Sequence, residues 1–167
     1  MFIRLAYLKG ARVIACDSKP NRLELAQKMG ARHLIDITKV DQVQAVRDLV
    51  EDSRGVDVAI EAAGLPAVWE IAFNQVRAGG QVLCFGGTKS GTKVTFDCTR
   101  MHYEQITVKG VFHTTPIHVN AAFELLKMGA ISADDFVEHE YTIEETEAAI
   151  REHAEGKVIK NCIVYED

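Results

Sequence analysis

An aspartate directly follows a short apolar run near the start of the chain, and this arrangement could bind a nucleotide. The segment ARVIACD, residues 11–17, predicts a buried strand that ends in Asp17. A carboxylate at the end of the second strand of a dinucleotide-binding unit can accept hydrogen bonds from both hydroxyls of an adenosine ribose. It would repel a 2′-phosphate, so this position favours NAD over NADP. The alternatives are a solvated loop aspartate or the cap of the next helix, a role that Ser18 could fill instead.

Two turns of small residues follow later predicted strands. The turn AAG (62–64) comes after VDVAIE (56–61), and GGT (86–88) comes after QVLCF (81–85). Small residues let a backbone approach a flat cofactor closely, although any one of them alone could be a plain turn. Both turns fall on the same sheet edge as Asp17, so together they predict a coenzyme cleft. The later glycines are no phosphate loop, because that motif needs Gly-Lys-Ser/Thr and residues 91–93 read GTK.

The histidines and cysteines form no metal-ligand pattern. None of the six histidines belongs to H-E-x-x-H, and none of the four cysteines to C-x-x-C. His113 follows a predicted strand and could lie near a cofactor or in a surface turn. Cys16, Cys84 and Cys162 stand in apolar runs and are interpreted as buried, reduced thiols. These features predict no self-contained metal site and favour a cytoplasmic protein.

The bulk composition excludes some classes of partner. The 167 residues are 47% hydrophobic and 26% charged, with a net charge of −5, as in a globular protein. No basic stripe is present to displace counterions, so we expect no nucleic-acid partner. No apolar run reaches membrane-spanning length, so we expect no membrane span.

Strands and helices alternate along the chain. Helices are predicted at 1–10, 18–31, 40–52, 66–78 and 118–128, and strands at 11–17, 33–37, 56–61, 81–85 and 106–112. This alternation predicts parallel pairing through right-handed crossovers, hence an α/β protein with a doubly wound sheet.

The last part of the chain has a different character. Thr142 and Glu145 have the spacing of a capping box, which predicts a helix over 143–154 that ends at Gly156. A terminal strand is predicted over 158–165. This helix and strand could extend the preceding domain or belong to a neighbouring one.

The order of these segments resembles the zinc-dependent medium-chain alcohol and polyol dehydrogenases. The resemblance rests on the strand closing in Asp17, then LAQKMGA, GVDVAIEAAG, RAGGQVLCFGG, ITVKGVF and the terminal GKVIKNCIV. It covers essentially the whole chain, and HYEQITVKGVFHTTP is most similar to the sorbitol/iditol branch, with threonine dehydrogenase as a close relative. The resemblance implies a partial NAD-binding Rossmann domain over 1–131. It also implies that residues 132–167 join the catalytic domain in full-length relatives.

The same resemblance implies roles for individual residues. Asp17 would bind the adenosine ribose with Arg22 beside it, and the adenine and ribose cleft would be lined by Ala62, Ala63 and Gly64. Nicotinamide contacts would come from Phe85, Gly86 and Gly87, and from the backbone at Val111 and His113. Lys160 would reach the pyrophosphate. The implied substrate is a small alcohol or polyol, and the implied assembly is a homo-oligomer.

Several features of that family are not found in this sequence. The first Rossmann strand and its glycine-rich turn do not precede residues 1–10, and the cysteine, histidine and acidic zinc ligands of the relatives' catalytic domain are absent. Met1 is therefore interpreted as an internal methionine of a longer protein, and this chain alone is expected to be inactive. Because the first strand is central, we expect strands 11–17 and 56–61 to pair directly, to receive another chain, or to leave a marginally stable fold.

Three other functions remain open from the sequence. The first is a non-catalytic nucleotide-binding or interaction module, in which the strand ITVKGVF offers an edge for dimer pairing. The second is a zinc-independent quinone reductase, which shares the coenzyme domain. The third is a methyltransferase-like domain, which would need an antiparallel hairpin near the end of the chain, and the predicted helix 143–154 argues against it.

Overall fold

The computed structural model describes residues 1–165, and their strands and helices alternate as predicted. Seven strands are formed: β1 Ile14–Asp17, β2 His33–Asp36, β3 Val56–Glu61, β4 Val76–Cys84, β5 Thr107–Gly110, β6 Val137–Tyr141 and β7 Lys160–Ile163. Seven α-helices accompany them: α1 Phe2–Leu8, α2 Pro20–Lys28, α3 Gln42–Asp48, α4 Pro66–Gln75, α5 Cys98–Tyr103, α6 Pro116–Lys127 and α7 Thr146–Ala154. Short 3₁₀ turns occupy Glu51–Ser53, Ala133–Asp135 and Ile143–Glu145.

All strand pairs in the described residues are parallel. β1 pairs with β2, β3 pairs with β4, β4 pairs with β5, and β6 pairs with β7. These pairs form three separate sheets with the orders β1-β2, β3-β4-β5 and β6-β7. The parallel α/β class is therefore confirmed. The antiparallel hairpin of a methyltransferase-like domain is not formed, because the terminal strand β7 pairs in parallel with β6.

The strand closing in Asp17 does not pair with the strand closing in Glu61. Within residues 1–165, β1 pairs only with β2, and β3 pairs only with β4. Of the three outcomes expected for the missing central strand, direct pairing is wrong. One edge of β1 and one edge of β3 thus carry no ladder partner in the described chain, as expected for two strands that flank an absent one.

The boundary between α4 and β4 lies earlier than the sequence predicts. We expected a helix through residue 78, but α4 ends at Gln75 and β4 begins at Val76. The guanidinium of Arg100 donates to the carbonyl oxygens of Phe73 (2.9 Å) and Val76 (2.6 Å) at this junction. Arg100 thereby satisfies carbonyls at the end of α4, where helix carbonyls lack intrahelical partners.

Two compact units can be distinguished by their internal contacts. One contains residues 14–23 and 32–114, and the other contains residues 1–13, 24–31 and the chain from Thr115 onward. The first unit holds the main core, where α4 packs on β3 and β4. Phe73 (1% exposed), Val76 (0%) and Val82 (1%) lie at the centre of that core.

The second unit contains α6, α7 and the β6-β7 sheet. The predicted capping box forms, since Thr142 N donates to Glu145 Oε2 at 3.0 Å. Strand β6 and the helix α5 of the first unit were not predicted. The last two residues of the segment 132–167 lie outside the described part of the chain. None of the helices in residues 1–165 has the length and apolar composition that a bilayer crossing requires.

Candidate coenzyme cleft

Asp17 is the last residue of β1, as predicted, and its carboxylate is partly engaged. Its Oδ1 accepts a hydrogen bond from Lys19 N at 2.9 Å. Its Oδ2 lies 3.9 Å from a terminal nitrogen of Arg22, and the two side chains are 31% and 42% exposed. An exposed pair at this distance contributes little to stability. Asp17 therefore holds the turn that enters α2 and still presents a carboxylate oxygen to solvent beside a cation.

Asp36 is the register partner of Asp17 on β2, but its carboxylate is fully engaged. Thr38 donates to Oδ1 through both its backbone nitrogen (3.0 Å) and its hydroxyl (2.6 Å). Lys39 Nζ lies 2.7 Å from Oδ2. The Lys39 and Thr38 hydrogen bonds lower the pKa of Asp36 to about 2. Of the two carboxylates at this sheet edge, Asp17 is the one with more capacity to accept from a ligand.

The turn after β3 is held by a buried carboxylate. Glu61, the last residue of β3, is 1% exposed. Its Oε1 accepts from Ala63 N and Gly64 N, both at 2.7 Å. Ala62 and Ala63 themselves are exposed at the sheet edge. The buried carboxylate of Glu61 thus fixes the backbone of residues 62–64, and the side chains of Ala62 and Ala63 remain exposed to solvent.

The turn after β4 crosses the turn after β3 at two glycines. A Cβ placed on Gly86 would lie 2.7 Å from Gly64 Cα and 2.8 Å from Glu61 Oε2, and nearer still to Gly64 N. A Cβ on Gly64 would lie 2.5 Å from Gly87 O. Only glycine fits such a crossing without backbone movement. Residues 62–64 and 85–87 therefore form one contiguous backbone surface.

A cleft of about 290 Å³ opens beside this surface, at the carboxyl ends of β4 and β5. It is lined by Trp69, Cys84, Phe85, Gly86, Gly87, Thr88, Gly110, Val111 and Phe112. Four of the predicted site residues, Phe85, Gly86, Gly87 and Val111, therefore lie together. The lining is mostly apolar, and ligand crevices of parallel α/β sheets lie at this edge.

Other predicted residues lie outside the lining of this cleft. His113 follows β5 with a left-handed φ of 64°, and its ring packs on Phe112 with centroids 4.0 Å apart. Asp17 and Arg22 belong to the same unit, but Asp17 ends β1 of the separate β1-β2 sheet and Arg22 lies in the first turn of α2. Lys160 begins β7 in the other unit and is exposed.

Sequence reasoning missed two residues of the site. Glu61 was assigned only to the strand, yet its carboxylate organises the following turn. Trp69 was assigned to the buried face of α4, and it does pack against the core, but it also lines the cleft. Its indole Nε1 is buried without a hydrogen-bond partner among residues 1–165. No sequence signal identified Glu61, because the alternating Val58 and Ile60 of the same strand are the exposed residues, at 52% and 40%.

Cys84 also lines the cleft. Burial raises the pKa of Cys84, and the charge of Glu61 raises it further. This thiol is therefore protonated at neutral pH and acts as an apolar wall of the cleft. No group of three or more His, Cys, Asp or Glu side chains within residues 1–165 is arranged to hold a metal ion. The described residues thus do not fit a zinc site.

A parallel α/β fold with glycine-lined turns and a cleft at its strand ends is typical of the coenzyme domains of the doubly wound class. Residues 1–129 match the family model described as "Zinc-binding dehydrogenase". The chain belongs to this family, and the predicted resemblance is confirmed.

Two relatives and one solved structure illustrate the similarity. The chain is 33% identical to sorbitol dehydrogenase of Bacillus subtilis (strain 168) over 138 residues, which are 83% of this chain and 38% of that protein. It is 31% identical to D-arabinitol dehydrogenase 1 of Uromyces fabae over an alignment of 169 positions, which covers 98% of this chain and 47% of that protein. A zinc-binding dehydrogenase from Sinorhizobium meliloti 1021, bound to NADP, superposes with a TM-score of 0.82 at 30% identity, over 89% of this chain and 44% of that chain. The chain thus spans less than half the length of these proteins.

Proposed function

We propose that this chain is the coenzyme-binding part of an NAD-linked dehydrogenase, and that its cleft receives the nicotinamide end of the coenzyme. The observation that carries the proposal is the crossing of the turns 62–64 and 85–87 beside an apolar cleft at the strand ends. Membership of the zinc-binding dehydrogenase family supports it. The glycine crossing fits a flat, extended ligand, because the missing Cβ of Gly86 lets the two turns touch and the missing Cβ of Gly87 leaves open space beside the backbone.

Different residues are proposed to bind different parts of the coenzyme. Asp17 accepts from the hydroxyls of the adenosine ribose, with Arg22 beside it, and Ala62, Ala63 and Gly64 line the adenine and ribose cleft. Phe85, Gly86 and Gly87 contact the nicotinamide ribose, and the backbone at Val111 and His113 holds the carboxamide. Lys160 is proposed to reach the pyrophosphate. When bound, the coenzyme supplies a hydride acceptor, and the apolar lining excludes water from it.

NAD rather than NADP is proposed as the preferred coenzyme. The carboxylate of Asp17 accepts from a 2′-hydroxyl but repels a 2′-phosphate. Arg22 could attract a phosphate, but it already lies against Asp17, which offsets its charge.

The whole protein is proposed to oxidise a secondary alcohol of a polyol to a ketone. The similarity to sorbitol and D-arabinitol dehydrogenases supports this substrate class. Zinc, held by residues other than those described, would polarise the alcohol oxygen. We propose that residues 1–131 form the coenzyme domain and that the segment 132–167 joins the catalytic domain.

A homo-oligomer in the cytoplasm is also proposed. Strand β5 pairs on one side only within the described residues, which leaves an edge for a second copy. All four cysteines are unpaired, as expected in a reducing compartment.

The proposal is tested by titrating the 167-residue chain with NADH and NADPH. Trp69 is the single tryptophan of the chain and lines the cleft, so ligand entry is expected to quench its emission. We expect tighter binding of NADH than of NADPH. Asp17→Ala should weaken NADH binding by about 1–3 kcal/mol, or roughly 5- to 150-fold in Kd, the scale of lost hydrogen bonds to a charged group.

Asp57→Ala is the matched control. It removes the same charge from an exposed carboxylate that pairs with Arg77 near the opposite end of β3. It should leave both affinities unchanged. If neither NADH nor NADPH quenches the emission of Trp69, the coenzyme site is contradicted. If Asp17→Ala and Asp57→Ala change the Kd for NADH equally, the ribose assignment of Asp17 is contradicted.

A further inference from the structure

Glu61 binds both turns of the cleft, the first through its side chain and the second through its main-chain carbonyl at the end of the β3-β4 ladder. Its side chain carboxylate accepts from Ala63 N and Gly64 N. Its backbone carbonyl accepts from Phe85 N at 2.9 Å and from Gly86 N at 3.1 Å. One buried residue thus binds four backbone amides, two in each of the turns that cross at Gly64 and Gly86.

The carboxylate also lies directly under that crossing. Its Oε2 is buried without a hydrogen-bond partner among residues 1–165, and it would lie 2.8 Å from a Cβ at Gly86. Burying a carboxylate is costly unless its hydrogen bonds compensate. A β-strand does not need such a group at its last residue, and an apolar side chain there would pack at no comparable cost. Here the carboxylate offsets part of that cost by accepting from Ala63 N and Gly64 N, and its second oxygen lies beside Gly86, so it holds the first turn against the second.

We propose that Glu61 is a positioning residue that joins the turns 62–64 and 85–87 into one rigid unit facing the coenzyme. This inference rests on the proposed function for its ligand, but the coupling of the two turns is a property of the chain itself. Glu61 does not touch the coenzyme. It fixes the backbone that does, so its loss should weaken binding more than a loss of stability alone would explain.

Three variants separate positioning from general stability. Glu61→Ala removes the carboxylate but keeps the main-chain carbonyl that binds Phe85 N and Gly86 N. Glu61→Gln also keeps a side-chain oxygen that can accept from Ala63 N and Gly64 N. Val46→Ala is the control, because Val46 is buried in α3 (3% exposed) and is not part of either turn. Each variant is examined by denaturant unfolding, by NADH titration and by amide hydrogen exchange resolved by NMR.

We expect Glu61→Ala to raise the Kd for NADH by at least about tenfold, Glu61→Gln by no more than about threefold, and Val46→Ala not at all. In Glu61→Ala, exchange should accelerate at Phe85 and Gly86 as well as at Ala63 and Gly64, beyond any global change. In Val46→Ala, exchange at these four amides should follow global stability only.

Two results would overturn the proposal. One is faster exchange in Glu61→Ala that is confined to Ala63 and Gly64, which would show that the turns are independent. The other is NADH affinity in Glu61→Ala equal to that of Val46→Ala. If the wild-type chain does not bind NADH, the proposed function fails, and exchange at Phe85 and Gly86 still decides the role of Glu61. If Glu61→Ala does not fold, the NADH affinity and amide exchange of Glu61→Gln test the proposal instead. A Glu61→Gln variant that loses affinity by much more than about threefold would contradict the role of the side chain as a hydrogen-bond acceptor.

Discussion

Replacing Gly86 with alanine tests the crossing of the two turns directly. The added Cβ would lie 2.7 Å from Gly64 Cα and 2.8 Å from Glu61 Oε2, where ordinary van der Waals contact begins at 3.4 Å. The obstructing atoms belong to backbone and to a buried carboxylate that is itself hydrogen-bonded, so none can rotate away. Overpacking typically costs about 1–3 kcal/mol, and a clash with backbone should fall at the upper end.

We therefore expect Gly86→Ala to lower the free energy of unfolding by about 3 kcal/mol. At a urea m-value of about 2 kcal/mol per molar, the unfolding midpoint would fall by about 1.5 M. Unfolding is followed by the emission of Trp69 and by far-ultraviolet circular dichroism. The m-value should stay unchanged, since the substitution alters the native packing and not the surface exposed on unfolding.

The neighbouring glycine provides the control. A Cβ on Gly87 meets no atom within 4 Å, and its φ is not in the left-handed region. Gly87→Ala should change stability by less than about 0.5 kcal/mol. If Gly86→Ala were as stable as Gly87→Ala, the two turns could not approach as described, and the contiguous surface proposed for the coenzyme would be refuted.

Two further predictions concern titratable groups outside the turns. Because Lys39 and Thr38 lower the pKa of Asp36 from 3.8 to about 2, the stabilisation by these bonds is present above pH 3.8 and is lost as the pH falls towards 2. A carboxyl NMR titration should give a midpoint near 2, and an ordinary midpoint would contradict these hydrogen bonds. At pH 8 a thiol reagent followed by mass spectrometry should label exposed Cys98 first, because burial raises the pKa of Cys84 and raises that of Cys16 to about 11. Labelling of Cys84 as fast as Cys98 in the native chain would contradict the burial of the cleft wall.

The sequence predicted the bounds of an element correctly where the residues that end the element lie next to it in the chain. Strand β3 has the bounds predicted, because Gly55 precedes the apolar run and small residues follow it. The end of α4 could not be predicted, because it depends on Arg100, which lies 24 residues beyond Val76 and binds its carbonyl. Strand β6 was missed because its exposed VEHEY sequence carries weak strand preference, and its pairing partner β7 comes about twenty residues later.

In the candidate site, too, some residues were predictable from the local sequence and others were not. The positions of Asp17 and of the two small-residue turns follow from the rule that parallel strands end at a common edge. The rule locates the turns but not what lies beneath them. Glu61 and Trp69 could not be assigned to the site from local pattern, since a buried carboxylate and a core tryptophan acquire their roles only from neighbours distant in sequence.

Asp17 and Asp36 show why residue type and strand position alone do not define a ligand site. Both are aspartates that close neighbouring strands, and they are register partners in one sheet. Each is followed by a residue two positions on that donates a backbone hydrogen bond to its carboxylate. The difference arises in the next few residues, because Thr38 also offers a hydroxyl and Lys39 lies close enough to bind, whereas Arg22 remains 3.9 Å from Asp17. A carboxylate whose two oxygens are already bound by its own turn has little capacity to accept hydrogen bonds from a ribose. The proposed nucleotide site therefore depends on the strand-end position of Asp17 and equally on the absence of a close hydroxyl and ammonium donor at its carboxylate.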